Sequence, residues 1–199
     1  MNILDFIFPK KCLECGSFGK YICDNCLKKV GKSGWWGRNY SVFKYEGVIR
    51  KAIIALKYKY STAIVDELSS IIVSRMQNME FRIQNIMLIP VPLHQKRFNE
   101  RGFNQSEEVG KLIAKSMGWD FNANLLIKNK NTKHQVGLKG AERRQNLSNV
   151  FSLNSAFRIP DSSIVVFDDV MTTGSTLSEA KKALEKAGFK NVWGLTIAR

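Results

Sequence analysis

The chain has 199 residues, enough for one well-cored domain and a small appendage. Hydrophobic residues make up 44% of it, ordinary for a globular protein, and no apolar run approaches the roughly 20 residues needed to span a bilayer. Thirty-one Lys and Arg against seventeen Asp and Glu leave a net charge of +14, which makes an extended polyanion, nucleic acid above all, an expected partner. A basic proteome or simple solubility is the alternative source of that charge.

The chain opens on the apolar Ile3, Leu4, Phe6, Ile7 and Phe8. This start is too short for a signal peptide and lacks a basic leader, so the expected location is the cytoplasm. The cysteines are Cys12, Cys15, Cys23 and Cys26, in the pattern C-x2-C-x7-C-x2-C. Two C-x-x-C pairs read as a tetrahedral four-cysteine zinc site, each pair forming a knuckle that donates two thiolates. With all four ligands from the protein, such a zinc is structural. Redox-active dithiols are the other reading, while two disulfides would need an oxidising compartment. Residues 1–34 form the expected zinc module, with its apolar start docking it on a main domain of residues 35–199.

Residues 31–34 read as a linker. Trp35 and Trp36 follow, either as packing residues or as a stacking surface. Residues 40–45 alternate as a strand. A helix comes next, with Val48, Ile49, Ala52, Ile53 and Leu56 on its apolar stripe. Lys57, Tyr58, Lys59 and Tyr60 close it. Interleaved cations and aromatics can hold a backbone phosphate and a base, although a lysine at a helix C-terminus also simply complements the dipole. A second helix is expected over residues 62–79.

Residues 85–92 form a buried strand ended by Pro90 and Pro92. A basic loop then carries Lys96, Arg97, Arg101 and Gly102 to a helix started by Asn104 and Glu107 as a capping box. Strand, basic glycine-containing loop and capped helix at the carboxyl end of a parallel strand describe a ligand-binding position. Two further strands are expected over residues 124–128 and 149–153. The long polar stretch between them, with Lys130, Lys133, Lys139, Arg143 and Arg144, reads as a functional lid or a solvated charged loop. His94 and His134 are far apart in sequence and lack metal-ligand spacing.

The most informative stretch is residues 163–176. Ile164, Val165, Val166 and Phe167 read as a strand buried on both faces of a parallel sheet. Asp168 and Asp169 follow it, then a turn containing Thr172, Thr173, Gly174, Ser175 and Thr176, then a helix stopped by Gly188. The free N–H groups of a helix N-terminus, its dipole and these hydroxyls favour a phosphate. The two carboxylates repel phosphate but suit the vicinal hydroxyls of a ribose, so the implied ligand is a ribose 5-phosphate. A plain capped turn is the alternative. A last strand over residues 191–197 completes a doubly wound, mostly parallel α/β sheet.

This loop resembles the ribose-phosphate loop of the type I phosphoribosyltransferases, which bind phosphoribosyl pyrophosphate. The whole chain resembles one branch of that superfamily, the ComF (ComFC/GntX-like) family of competence-associated proteins. The segment from Val91 to Gln105, with its Arg-Gly-Phe-Asn-Gln ending, is similar to the family signature. So is the pattern Thr132, Gln135, Gly137, Leu138, Glu142, Arg143 and Asn146, although many relatives have proline where this chain has His134.

The resemblance implies that phosphoribosyl pyrophosphate enters with Mg²⁺. Asp168 and Asp169 would hold the ribose hydroxyls and stabilise charge developing at the anomeric carbon. Residues 172–176 would anchor the 5-phosphate, and Arg97, Arg101 and Gly102 the pyrophosphate. It implies transfer of the phosphoribosyl group with pyrophosphate release. The alternative is handling of single-stranded DNA during uptake, with little or no turnover, beside a competence helicase or other DNA-processing protein. Lys57, Tyr58, Lys139, Arg143 and Arg144 would then act as lid or nucleic-acid contacts.

Overall fold

The computed structural model describes residues 9–58, 61–77, 85–129, 150–154 and 162–199. In chain order they form α1 (Asp24–Lys28), β1 (Lys32–Trp36), β2 (Asn39–Phe43), α2 (Gly47–Tyr58) and α3 (Thr62–Met76). Next come β3 (Ile86–Pro90), α4 (Gln95–Arg101), α5 (Gln105–Met117), β4 (Asp120–Phe121) and β5 (Leu126–Lys128). The chain closes with β6 (Phe151–Leu153), β7 (Ser163–Val170), α6 (Ser175–Lys186) and β8 (Val192–Ala198).

The six-stranded sheet runs β1-β2-β8-β7-β3-β4, and β5 pairs separately with β6. Every neighbouring pair in the large sheet is parallel except β1 with β2. Strand β7 lies between β3 and β8, and its alternate side chains feed two cores. Val165 and Phe167 pack with α2, α3 and α5, whereas Ile164 and Val166 pack with α6 and the β5–β6 pair. The period of two along a strand divides these residues between opposite faces, so helices cover both sides. The sheet is doubly wound, as its apolar run implied.

The stripe of α2 is buried as its spacing requires, with Val48, Ile49, Ala52, Ile53 and Leu56 all inside. The helix start at Asn104 also holds: its side-chain oxygen accepts the Ser106 N–H at 3.1 Å.

Two local expectations change. The residues read as a linker, 31–34, run into β1, which pairs antiparallel with β2. Small and polar residues suit an edge strand as well as a linker, because a ladder needs only backbone groups. The basic loop after β3 contains the helix α4. His94 caps its start, Nδ1 accepting the Lys96 N–H at 3.2 Å, and Gly102 ends it at φ 76°. That backbone angle favours a residue without Cβ.

The cysteine segment packs against the main body. Cys12, Ile22, Cys26 and Val30 belong to the same apolar core as α2 and α3. The expected docking residues of the first eight positions, Tyr60, and the polar stretch with Lys139, Arg143 and Arg144 lie outside the described residues.

Candidate functional site

The parallel strands β3 and β7 are neighbours, but their connections leave in opposite directions. From β3 the chain passes through α4 and α5 to β4 on one side; from β7 it passes through α6 to β8 on the other. α5 and α6 lie on opposite faces of the sheet. The crevice outside the carboxyl ends of two such strands is where open α/β sheets bind ligands. The Val91 N–H donates to the Phe167 carbonyl at 2.8 Å, so the two strand ends are tied together at this point.

Asp168 and Asp169 are the two residues before Val170, the last residue of β7. Strand alternation sends their side chains to different faces. Asp169 is buried, and its Oδ2 meets Lys57 Nζ at 2.9 Å and accepts from Gln105 Nε2 at 2.9 Å. Gln105 Oε1 in turn accepts from Arg101 Nη1 at 3.1 Å. Asp168 is half-buried; its Oδ1 accepts the Ser106 hydroxyl at 3.3 Å and the Asp169 N–H at 2.9 Å.

The electrostatics follow from this crowding. Burial first, and then the negative charge of Asp169, push Asp168 up to about 7, against the opposing pull of Lys128 and Lys57. Burial lowers the Lys128 ammonium, Asp168 raises it, and Arg97 lowers it further. Arg97 of α4 and Lys128 of β5 therefore belong to the same charged neighbourhood as the acids.

The turn after β7 is anchored by Met171, buried, whose N–H donates to the Ala198 carbonyl at 2.9 Å. Thr172 and Thr173 are exposed, and Gly174, at φ 74°, begins α6. The Thr173 hydroxyl donates to Ser175 Oγ at 3.0 Å and accepts the Ser175 N–H at 3.4 Å. Thr176 lies in the first turn of α6, whose leading N–H groups have no intrahelical acceptor. An anion at this end would meet those donors and the positive end of the dipole.

The fold thus brings Asp168, Asp169, Arg97, Arg101 and Lys57 together around one strand junction, with the 172–176 turn continuing from it. Tyr58 stands apart, strongly exposed at the end of α2. Sequence reasoning assigned no role to Gln105, Ser106 or Lys128. Gln105 and Ser106 open α5 at the carboxyl end of β3, a position that could have drawn attention to them; Lys128 carried no such signal.

A second cluster lies in the N-terminal segment. The thiols of Cys12, Cys15, Cys23 and Cys26 all fall within 4.8 Å of one another. The Gly16 N–H donates to the Cys12 carbonyl at 2.9 Å, and Gly16 sits at φ 76°, closing the first knuckle. The hydrogen bond with the Ser17 hydroxyl leads in pulling Cys15 down to about 6, while burial and the neighbouring thiols push Cys26 up to about 12. Thiols this close cannot all ionise alone. A divalent cation would balance them, so the donor set and its spacing fit a four-thiolate metal site.

Trp35 and Trp36 are both about half exposed on β1. Trp35 packs on Tyr40 and Trp193 at 5.2 and 5.8 Å, and the Arg199 guanidinium lies 3.4 Å from the Trp36 ring centre. No helix among the described residues is long and apolar enough to cross a membrane.

No family model matches the chain. Among curated proteins it is 32% identical over 197 residues to competence protein F of Haemophilus influenzae, covering 94% of this chain and 84% of that one. It is 28% identical over 193 residues to the DNA utilization protein YhgH of Escherichia coli K12, covering 92% and 82%. It is 25% identical over 203 residues to competence protein ComFC of Streptococcus pneumoniae, covering 94% and 87%. Two solved structures are loosely similar. One is the allosteric regulatory enzyme of purine biosynthesis, with a TM-score of 0.45 and 16% identity, covering 72% of this chain and 30% of that one. The other is the adenine phosphoribosyltransferase of Giardia lamblia complexed with 9-deazaadenine, at 0.42 and 17%, covering 86% and 82%. Likeness at this level bears on neither ligand nor activity.

Proposed function

Because the chain belongs to the competence protein F family, we propose that it binds phosphoribosyl pyrophosphate or a related ribose 5-phosphate at the crevice between β3 and β7. One observation carries this reading: a carboxylate pair ends β7 and is followed, across the 172–176 turn, by the N-terminus of α6. Carboxylates accept from ribose hydroxyls, and the helix end takes the 5-phosphate. Arg97 and Arg101, beside the same junction, are the cations for a pyrophosphate, which would enter with Mg²⁺. In the transferase reading the anomeric C–O bond breaks, pyrophosphate leaves with the electron pair, and an acceptor takes the ribosyl carbon. The chain's residues would contribute positioning and charge stabilisation. The four cysteines hold a structural Zn²⁺, and the protein works in the cytoplasm.

Calorimetric titration with phosphoribosyl pyrophosphate and Mg²⁺ tests binding; no heat from the unmodified protein overturns it. Pyrophosphate release over a panel of bases and amines, compared with the Asp168→Asn/Asp169→Asn protein, tests turnover. Release no faster than in the double variant removes transfer and leaves binding.

A second reading has its own support. The charge of +14 and the exposed Trp36 and Tyr58 suit single-stranded DNA, and the relatives are called competence and DNA utilization proteins. Here the protein would bind incoming strands beside a competence helicase or another DNA-processing protein. Affinity for single-stranded DNA that falls steeply with salt supports this reading; absence of binding at low salt ends it.

A further inference from the structure

The two acids are not equivalent. Among the described residues, both donors that reach the Asp169 side chain, the Lys57 ammonium and the Gln105 amide, converge on one oxygen, Oδ2, each at 2.9 Å. The residue is 7% exposed. Lys57 comes from the last turn of α2 and Gln105 from the first turn of α5, so two helices on one face of the sheet close over it. Gln105 is itself oriented, because its Oε1 accepts from Arg101. Asp168 is bonded differently. Its Oδ1 accepts from Ser106 and from a backbone N–H, and among the described residues nothing donates to its Oδ2.

We propose that Lys57 and Gln105 are positioning residues that lock Asp169 as an internal counter-ion, leaving Asp168 as the carboxylate presented to the sugar hydroxyls. This rests on the sugar-phosphate reading above for its ligand, but the lock itself does not. A buried carboxylate that already has a cation and an amide on one oxygen loses both if it turns toward a ligand, and the cation is left without its partner. Asp168 sacrifices nothing comparable among the described residues, none of which donates to its second oxygen.

The charged groups around Asp168 agree with this division. Asp169 adjoins it on β7, and the charges of Lys57 on α2 and Lys128 on β5 both favour its ionised form, with Arg97 of α4 acting on Lys128. Lys57 thus has two effects: it holds Asp169 in place and it eases ionisation of Asp168.

The test needs no ligand for its first half. Carboxyl-carbon NMR of the full chain, with the Asp168 signal assigned by its loss in Asp168→Asn, follows that group through neutral pH. We expect Lys57→Met to move the Asp168 titration upward and Lys57→Arg to restore it. An unmoved titration in Lys57→Met overturns the lock. The second half uses phosphoribosyl pyrophosphate with Mg²⁺ as probe. Expected is a loss of about tenfold or more in affinity for Asp168→Asn and for Lys57→Met, with Lys57→Arg close to the unmodified protein. Lys57→Arg failing as badly as Lys57→Met overturns the positioning role. If Lys57→Met does not fold, Gln105→Leu takes its place, with the same loss expected. A protein whose titration shifts as described but which never binds the probe refutes the sugar-phosphate reading and leaves the Lys57–Asp169 lock standing.

Discussion

Glu67 Oε1 accepts the Ile22 N–H at 2.7 Å, across the seam between α3 and the cysteine segment. Its other oxygen accepts the Tyr21 N–H at 3.1 Å, so one carboxylate spans two successive backbone donors. Ile22 is fully buried beside them. Hydrogen bonds to a charged group are stronger than neutral ones, and leaving two backbone donors unpaired adds a desolvation cost. Glu67→Leu is expected to cost about 2 kcal/mol. For a chain of this size that lowers the melting temperature by roughly 4–8 °C in a thermal scan.

Metal content should track the four cysteines. Elemental analysis of the purified protein is expected to find about one zinc per chain, and none in Cys12→Ser/Cys15→Ser. Because Cys12 and Cys26 are part of the core that includes α2 and α3, a strong chelator should lower the melting temperature of the whole chain. Stability indifferent to chelation would mean that the thiols hold no structural ion.

Gly110 is a seat for α5. A Cβ there would lie 2.9 Å from Leu88 Cδ2 and 3.1 Å from Phe167 Cδ1, both on fully buried side chains. Overpacking of about 1–3 kcal/mol outweighs the gain of about 1 kcal/mol from replacing a helical glycine with alanine. Gly110→Ala should therefore be less stable, and Gly110→Val more so, in urea unfolding. Since α5 presents Gln105 and Ser106 to the acids, ligand affinity should fall along the same series.

Asp168 makes stability depend on pH with a definite sign. Its carboxyl is raised from 3.8 to about 7 in the folded chain, so the folded state binds this proton more tightly than the unfolded state. That contribution is complete at low pH and is lost as pH rises from about 4 through about 7. Asp168→Asn cannot lose it. In urea unfolding the variant should gain stability relative to the unmodified protein between pH 5 and pH 8, by roughly 2–3 kcal/mol. A difference that stays constant over this range would mean that the carboxyl is not perturbed.

Much of this molecule was readable from local chemistry. The two C-x-x-C pairs gather four thiols within 4.8 Å of one another, because a knuckle needs only a few residues and a turn glycine. Strand β7 was legible because four apolar residues in succession must be covered on both faces. The start of α5 was legible because an asparagine cap acts within two residues of itself. Local reading failed where a segment's state depends on what lies beside it. Residues 32–34 became part of an edge strand because β2 was there to pair with, and the basic stretch after β3 formed α4 between two caps.

Sequence alone therefore singled out three residue groups, the cysteine set, the acid pair and the small-residue turn, each defined by neighbours along the chain. Only the tertiary structure decided how the acids differ. Lys57 and Gln105 stand far from Asp169 in sequence, and they meet it because α2 and α5 pack on the same face of the sheet, whereas Asp168 receives the Ser106 hydroxyl. Pattern and propensity act over a few residues, whereas an ion pair is set by which helices share a face.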